Sequence, residues 1–363
     1  MSTPYSIAAG GKVYTVVDDR TTVYSAVITG RVTDEILGDF VAAGFAVEVS
    51  RSDLETKTTE TGLYAVTGYA NLSFPKLQMM SYTVDLTLGA PGFRDYPLPV
   101  TIPQNAIFPV SAPTIALRRL PVRIQGRVMQ ESPRQPISGA QVVAVDNPNP
   151  PMPPPPPPVP HTTLLRTPLY FAHAVNAQAQ QVTLTIVGGA QLSQPVAAGA
   201  QVLNLTTTAG LAGGAFVQLA TPSLVTVEYG VVDHLGPQPG QVFLRNPLNR
   251  SYAAGAATNV QFVTATPAGP AASLMLDADA GDGILVADQL LNVSTVVVDV
   301  ASPAAVEYHE IGAITNSEGY YTLDGIGRVQ QLFLQAQPQT PGTPVIPWFI
   351  EFEQPVNVVD FRL

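Results

Sequence analysis

The acidic residues between Asp277 and Asp288 are the strongest candidates for ion chemistry in this sequence. Asp279 and Asp282 lie between them, and Asp288 is the twelfth position counted from Asp277. A calcium loop needs several oxygen ligands around one ion and a sharp glycine turn inside the loop. Here Gly281 stands at the fifth position and an aspartate at the sixth, where glycine is usual. A turn with solvated acids is therefore the favoured interpretation, and a calcium loop is the alternative.

The remaining residue types that could do chemistry form no pattern typical of a catalytic or metal site. The histidines lack close metal-ligand spacing, and their positions are His161, His173, His234 and His309. For His173 we favour a turn-capping or packing role. The acidic pair Asp18-Asp19 falls in a predicted loop. Without cysteine, a Gly-x-Ser-x-Gly elbow or a Walker A loop, we predict no enzyme, and no catalytic, cofactor-binding or metal residues.

Composition restricts the partners of this chain of 363 residues. Hydrophobic residues make up 46% and charged residues only 12%, which favours a surface covered by other subunits. The net charge of −10 argues against nucleic acid and anionic membranes as partners. No apolar run approaches the roughly 18–20 residues of a membrane span, and the first residues lack the features of a signal peptide. We expect no membrane insertion, and folding in a cytoplasm.

The fold class is predicted from the turn-forming residues and from the alternation of apolar and polar residues. Thirty-five prolines and 29 glycines separate short runs rich in Val, Thr, Leu and Ala, which predicts many strands joined by turns and an all-β protein. Residues 81–88 alternate between apolar and polar over a full strand length. Residues 1–25 are predicted to be an N-terminal arm with one strand at 12–17. Packing on its own domain is favoured, and strand addition to a neighbouring subunit is the alternative.

A short pattern occurs twice in the chain. Its first copy contains Gly30-Arg-Val32 and Thr61-Gly62-Leu-Tyr64, and its second contains Gly126-Arg-Val128 and Glu318-Gly319-Tyr-Tyr321. Gly62 is predicted to adopt a positive φ in a turn. Tyr64 is predicted to place its ring between two sheets and its hydroxyl at the rim.

This pattern resembles the carboxypeptidase regulatory-like domain, a transthyretin-like β-sandwich. The resemblance implies a multi-domain protein with two transthyretin-like or Ig-like sandwiches and no catalytic role for them. Residues 26–120 would form the first sandwich. Residues 121–147 and 313–363 would form the second, interrupted by a β-rich insertion at residues 148–312.

The insertion opens with a proline-rich segment at residues 148–160 that includes six consecutive prolines. Such a run favours polyproline II, which behaves as a stiff spacer. A rigid strut between host and insertion is the favoured interpretation, because the segment lies at their boundary. A ligand for an aromatic-lined groove is the alternative.

The rest of the insertion repeats itself. Pro168-Leu-Tyr-Phe-Ala-His173 is similar to Pro247-Leu-Asn-Arg-Ser-Tyr252, and Val227-Glu-Tyr229 is similar to Val306-Glu-Tyr308. Repeats of this length predict small β-barrels or sandwiches that stack. These phrases resemble tail and baseplate proteins of phages and contractile injection particles.

Two functions are therefore weighed. The first is a non-enzymatic structural subunit of a phage tail-like or contractile injection particle, such as a baseplate, fibre-attachment or cap component. It would act with other subunits of a symmetric assembly, as a homo-oligomer, in a virion or extracellular particle assembled in the cytoplasm. The second is a cell-surface adhesin or carbohydrate-binding protein. The aromatic group of the closing strands, Trp348 with Phe349, Phe352 and Phe361, could bind a sugar, although core packing is the favoured interpretation for it.

Overall fold

The computed structural model describes residues 5–9, 12–17, 20–35, 38, 41, 44–69, 81–104, 106–148, 160–222, 226–291, 295–327, 331–339, 347–351 and 355–363. All 28 regular elements in these ranges are β-strands, which confirms the all-β prediction. The described residues contain no helix that is long and apolar enough to cross a bilayer. The chain divides into two compact units, Met1–Leu120 and Pro121–Leu363.

Ten strands form the first unit. In chain order they are β1 (Tyr5–Ala9), β2 (Lys12–Val17), β3 (Arg20–Asp34), β4 (Ala46–Val49), β5 (Leu54–Thr58), β6 (Leu63–Tyr69), β7 (Tyr82–Gly89), β8 (Tyr96–Ile102), β9 (Val110–Ser111) and β10 (Ile115–Leu117). One sheet has the order β1-β2-β3-β6-β5, with β9 and β10 parallel to β3, and the other has the order β4-β7-β8. The arm strand β2 thus pairs with β3 of its own unit.

The core of the first unit lies between these two sheets. Val27, Ile28 and Val66 of the larger sheet form one apolar cluster with Val84 and Leu86 of the smaller sheet. Strand β7 buries alternate residues, as predicted, because successive side chains of a strand point to opposite faces.

Eighteen strands form the second unit. They are β11 (Val122–Met129), β12 (Gln141–Val145), β13 (His161–Leu164), β14 (Gln178–Leu192), β15 (Val202–Asn204), β16 (Phe216–Ala220), β17 (Val227–Leu235), β18 (Gln241–Leu244), β19 (Gly255–Ser273), β20 (Ile284–Ala287), β21 (Thr295–Val298), β22 (Glu307–Glu310), β23 (Ala313–Ile314), β24 (Tyr320–Ile326), β25 (Gln331–Gln337), β26 (Trp348–Glu351), β27 (Val356–Val358) and β28 (Phe361–Arg362).

Residues on either side of the insertion form two facing sheets, which we call the second sandwich. One has the order β24-β11-β27 with β28 also on β11, and the other has the order β23-β12-β25-β26. Strands β27 and β28 run parallel to β11, as β9 and β10 do to β3. The core of this sandwich also contains Leu164 and Ile284 from the insertion, so the insertion contributes directly to its packing.

A glycine–tyrosine pair recurs in the two units. Gly30 lies opposite Tyr64, and Gly126 lies opposite Tyr321. A Cβ on either glycine would lie 2.7 Å and 3.1 Å, respectively, from the ring carbon Cε1 of its facing tyrosine. The tyrosine ring therefore occupies the space that a side chain would need. The Tyr64 hydroxyl is buried, so its predicted place at the rim is wrong, because the glycine allows the whole ring inside.

The predicted turn geometry is confirmed. Gly62 has a φ of +79°, the same value as Gly319 at the equivalent turn. Each turn glycine accepts a backbone hydrogen bond from the valine of the Gly-Arg-Val sequence, Val32 or Val128, at 2.7 and 2.8 Å. Glycine reaches this left-handed region without steric cost.

The two copies of the internal repeat interleave in the insertion. The first copy supplies β13 to β17 and the second supplies β18 to β22, yet the eight-stranded sheet has the order β15-β18-β17-β16-β19-β14-β21-β22. The long strands β14 and β19 pair antiparallel along almost their whole length. Three apolar clusters form, each with strands from both copies. The prediction of separate stacked units is therefore wrong for this pair of repeats.

We call two of these clusters the first and second lobe. Leu203 and Val217 of the first copy pack with Leu244 and Val260 of the second copy in the first lobe. In the second lobe, residues of both copies again pack together, among them Leu165, Ala179, Leu285 and Val296.

Candidate functional site

The densest group of polar side chains lies inside the insertion, and we call it the buried carboxylate network. Glu228 and Glu307 are its two acids, with exposed fractions of 0% and 1%. His173 and His309 are equally buried. Buried carboxylates are costly unless they are hydrogen-bonded, so their partners decide what the network can do.

Glu307 accepts four hydrogen bonds. The imidazole N–H groups of His173 and His309 donate to it from Nε2 at 2.5 and 2.8 Å. The backbone N–H groups of Tyr170 and Phe171 donate at 2.7 and 3.2 Å. The carboxylate therefore fixes the chain after Pro168 against strand β22.

Glu228 makes the equivalent contacts with the other copy. The hydroxyls of Tyr170 and Tyr252 donate to its two oxygens at 2.6 and 2.9 Å. The backbone N–H of Asn249 donates at 2.5 Å. Burial and the charge of Glu228 raise the pKa of Tyr170 well above its usual range, so this phenol stays protonated and donating.

The repeated phrases explain this arrangement. Each acid belongs to a Val-Glu-Tyr strand, and each accepts from the backbone N–H two residues after the proline of a Pro-Leu phrase. The donor five residues after that proline is His173 in one copy and Tyr252 in the other. The sequence repeat was recognised, but its acids were not identified as acceptors. The signal that could have identified them is that the Val-Glu-Tyr and Pro-Leu phrases recur at the same separation in the two copies.

The network contains side chains that are used in acid–base chemistry, and all four of them are buried. A general acid or base must lie within hydrogen-bond reach of the reacting proton, and Glu228, Glu307 and both histidines are sealed in the core. Their hydrogen bonds join strands of the two repeat copies. Satisfied buried polar networks of this kind rigidify a core.

The pKa values of His173 and Glu307, which are hydrogen-bonded to each other, are shifted in opposite directions. Burial lowers the pKa of His173, but hydrogen bonds and charges from Glu307 and Asp299 outweigh it, so the net pKa lies above 6.5. Burial raises the pKa of Glu307, but hydrogen bonds from His173 and His309 outweigh it, so the net pKa lies below 4.5. Both shifts favour the charged pair.

These shifts predict a pH-dependent contribution to stability. The contribution of His173 to the stability of the fold is complete below its unfolded pKa and is lost as the pH rises through its raised folded pKa. The contribution of Glu307 is lost as the pH falls below 4.5. We expect the difference in Tm between the protein and His173→Gln to be larger at about pH 5.5 than at about pH 8.5. Thermal denaturation followed by circular dichroism measures it. An equal difference at both values would contradict the assignment.

The predicted acidic loop does not gather its carboxylates around one point. Asp282 is buried and accepts a hydrogen bond from the backbone N–H of Asp279 at 2.9 Å. Asp288 instead accepts from the backbone N–H of Ser273 at 2.8 Å. Within the described ranges, no three acidic or histidine side chains are placed to hold a metal ion. The turn is thus stabilised from within, and Asp282 is not solvated as expected.

The remaining candidates are dispersed. His161 lies 3.0 Å from Asp146, and His234 lies 2.8 Å from Asp233. The pair Asp18-Asp19 and most of the proline-rich segment lie outside the described residues. Trp348 is 55% exposed, so the favoured interpretation of core packing is wrong for this side chain. It stands on β26, the last strand of its sheet among the described residues.

Comparison with known proteins adds little to this description. No protein-family model matches the chain, and no curated protein matches it. Among solved structures, the chain is similar to a variant of the major pilin subunit BcpA of Bacillus cereus, with 8% identity and a TM-score of 0.24. That likeness covers 94% of this chain and 99% of the pilin chain, and at this score it carries no argument about function.

Proposed function

We propose that this protein is a non-enzymatic structural subunit that works through protein–protein contacts in a symmetric assembly. The observation that carries the proposal is an apolar edge of the second sandwich. Four exposed side chains lie on its edge strands β26 and β27, with exposed fractions of 44–67%, and they are Trp348, Phe349, Val356 and Val358. Exposed apolar side chains on an open sheet edge favour pairing with another chain.

The edge strands offer backbone groups as well as side chains. Strand β26 ends its sheet and β27 ends the facing sheet among the described residues. An open edge carries unpaired N–H and C=O groups to which a neighbouring strand can add. We propose that a neighbouring subunit covers this edge, and that large shared contacts hold the subunits in register.

The internal hydrogen bonding supports the same proposal. Four of the ionisable side chains of the insertion, Glu228, Glu307, His173 and His309, form hydrogen bonds inside its core, where they fix one arrangement of strands. A rigid subunit with few surface charges suits an assembly whose surfaces are mostly covered. We assign the assembly to phage tails or contractile injection particles on the strength of the repeated Pro-Leu and Val-Glu-Tyr phrases.

Lysine substitution on the edge tests the proposal. We expect Val358→Lys, alone or with Trp348→Lys, to shift the full chain from assemblies to single subunits in sedimentation velocity, because it places charge in an apolar contact. The matched control is Val175→Lys, at an exposed turn valine of the same unit, which should leave the assembly unchanged. Equal sedimentation of all variants and the parent chain would contradict the proposal.

A carbohydrate-binding adhesin is the second candidate, and the exposed indole of Trp348 favours it. An exposed aromatic face can stack on the apolar face of a sugar ring. A glycan array probed with the full chain separates the candidates, since Trp348-dependent binding to a glycan without self-assembly would favour the adhesin.

A further inference from the structure

An open cleft lies beside the first lobe, at strands β17 and β18. It has a volume of about 710 Å³. Its lining includes three rings and three polar side chains, which are Phe171, His234, Phe243, Gln201, Asp233 and Arg245. The cleft therefore combines flat aromatic surface with hydrogen-bonding groups.

His234 and Phe243 form the aromatic platform of this cleft. The two residues are partners across the pairing of β17 with β18. Their rings stack, with centroids 4.5 Å apart and planes 8° from parallel, so Phe243 covers one face of the imidazole. Since the His234 side chain is 58% exposed, its opposite face is open to a ligand.

The polar groups beside the platform are held in place by hydrogen bonds. The Nδ1 of His234 lies 2.8 Å from a carboxylate oxygen of Asp233. Nδ1 carries the hydrogen of this contact, because an ionised carboxylate only accepts. The Arg245 Nη1 donates to the carbonyl oxygen of Pro303, and the Gln201 amide donates to the carbonyl oxygen of Arg245 at 3.1 Å. A ligand would therefore meet side chains that are already positioned, which favours binding.

The ion pair of Asp233 and Arg245 is longer than a hydrogen bond. The Nε of Arg245 lies 3.8 Å from Oδ1 of Asp233, beyond the roughly 2.7–3.2 Å of an N–H···O bond. A hydroxyl group can accept from a guanidinium and donate to a carboxylate at the same time. The space at this ion pair therefore suits a ligand that carries hydroxyl groups.

The second lobe has apolar residues at the equivalent positions. In the alignment of the two repeat copies, Leu164 is the equivalent of Phe243. Ala313 is the equivalent of His234. Leu164 and Ala313 are buried in the core of the second sandwich, so protein covers this face of the second lobe. The first lobe instead presents rings and charged groups at the same place.

These differences favour one class of ligand. A protein layer like the one over the second lobe would remove Asp233 and His234 from water, although the side chains of both are more than half exposed. Burying charged groups without full partners is costly. The lining holds one carboxylate and one guanidinium, so its charge favours neither an anion nor a cation. A sugar fits better, because its ring has a flat apolar face for the platform and its hydroxyl groups replace water on the polar side chains.

We propose that the cleft beside the first lobe binds an uncharged hexose unit of a glycan, stacked on His234, with hydroxyl groups between Asp233 and Arg245. Trp348 does not line this cleft, so the site is separate from the apolar edge of the second sandwich. The inference goes beyond the proposed function, since it gives the subunit a glycan-binding role that needs no assembly.

Saturation-transfer difference NMR of the full chain with methyl glycosides tests the inference. The panel contains the glycosides of glucose, galactose, mannose and N-acetylglucosamine, and we expect saturable binding of at least one with a Kd below about 10 mM. Sorbitol, an open-chain hexitol with hydroxyl groups but no ring, should not bind. His234→Ala and Asp233→Asn should each weaken binding by about fivefold or more, because they remove the stacking face and the charged acceptor. Both side chains are exposed, so both variants should fold like the parent chain.

Matched controls separate this site from the other surfaces. Tyr320→Ala, at an exposed aromatic outside the cleft, should bind like the parent chain. Absence of saturable binding across the whole panel, or unchanged binding by either cleft variant, would overturn the inference. Binding that is lost in Trp348→Ala and kept in His234→Ala would place the sugar at the apolar edge and would overturn it as well. Sugar binding by a chain that forms no assembly would keep this inference and remove the proposed function, and assembly without sugar binding would do the reverse.

Discussion

Replacing Glu307 with alanine is expected to lower the free energy of unfolding of the second unit by about 3–5 kcal/mol. The carboxylate accepts from His173, His309 and two backbone N–H groups. Its loss leaves these donors unsatisfied in a core that water does not reach. Because both repeat copies meet at this point, the effect should extend over the insertion. Denaturant unfolding followed by circular dichroism measures the change.

The matched control is Glu318→Ala. Glu318 is exposed at a turn of the same unit, and its truncation should change the free energy of unfolding by less than about 0.5 kcal/mol. Equal effects of the two substitutions would show that the buried carboxylate network does not stabilise the insertion.

Replacing Gly126 with alanine is expected to be the second most damaging change, at about 3 kcal/mol. The added Cβ would lie 2.6 Å from the carbonyl carbon of Val359. That carbonyl accepts the Tyr321 hydroxyl at 2.8 Å. Backbone cannot move aside as a flexible side chain can, so β11 and the closing segment must separate. The measurement is again denaturant unfolding.

Gly269→Ala is the control for this change. Gly269 lies in a strand of the same unit, and the nearest atom to its added Cβ is 4.0 Å away. We expect stability within about 0.5 kcal/mol of the parent chain. If Gly126→Ala proves as mild, the close approach of β11 to Val359 is not a constraint on the fold.

Local features of the fold were predictable from the sequence. Alternation over residues 81–88 identified strand β7 and its buried face, because period-two burial is a property of one strand. The positive φ of Gly62 followed from its place in a turn. Each of these features depends on a few neighbouring residues.

Long-range features were not predictable in the same way. The repeat phrases around Glu228 and Glu307 were visible in the sequence. The contacts between the two copies, however, depend on the antiparallel pairing of β14 with β19. Stacked and interleaved repeats have the same sequence period. The buried hydroxyl of Tyr64 was also missed, because its space depends on Gly30 in a different strand.

Electron microscopy of the native complex tests the proposed structural role most directly. We predict that negatively stained preparations of the purified full chain, or of the complex that contains it, show regular particles of defined symmetry. Loss of these particles in Val358→Lys, with Val175→Lys unchanged, would connect them to the apolar edge of the second sandwich. A monodisperse single subunit with no symmetric particle would contradict the account.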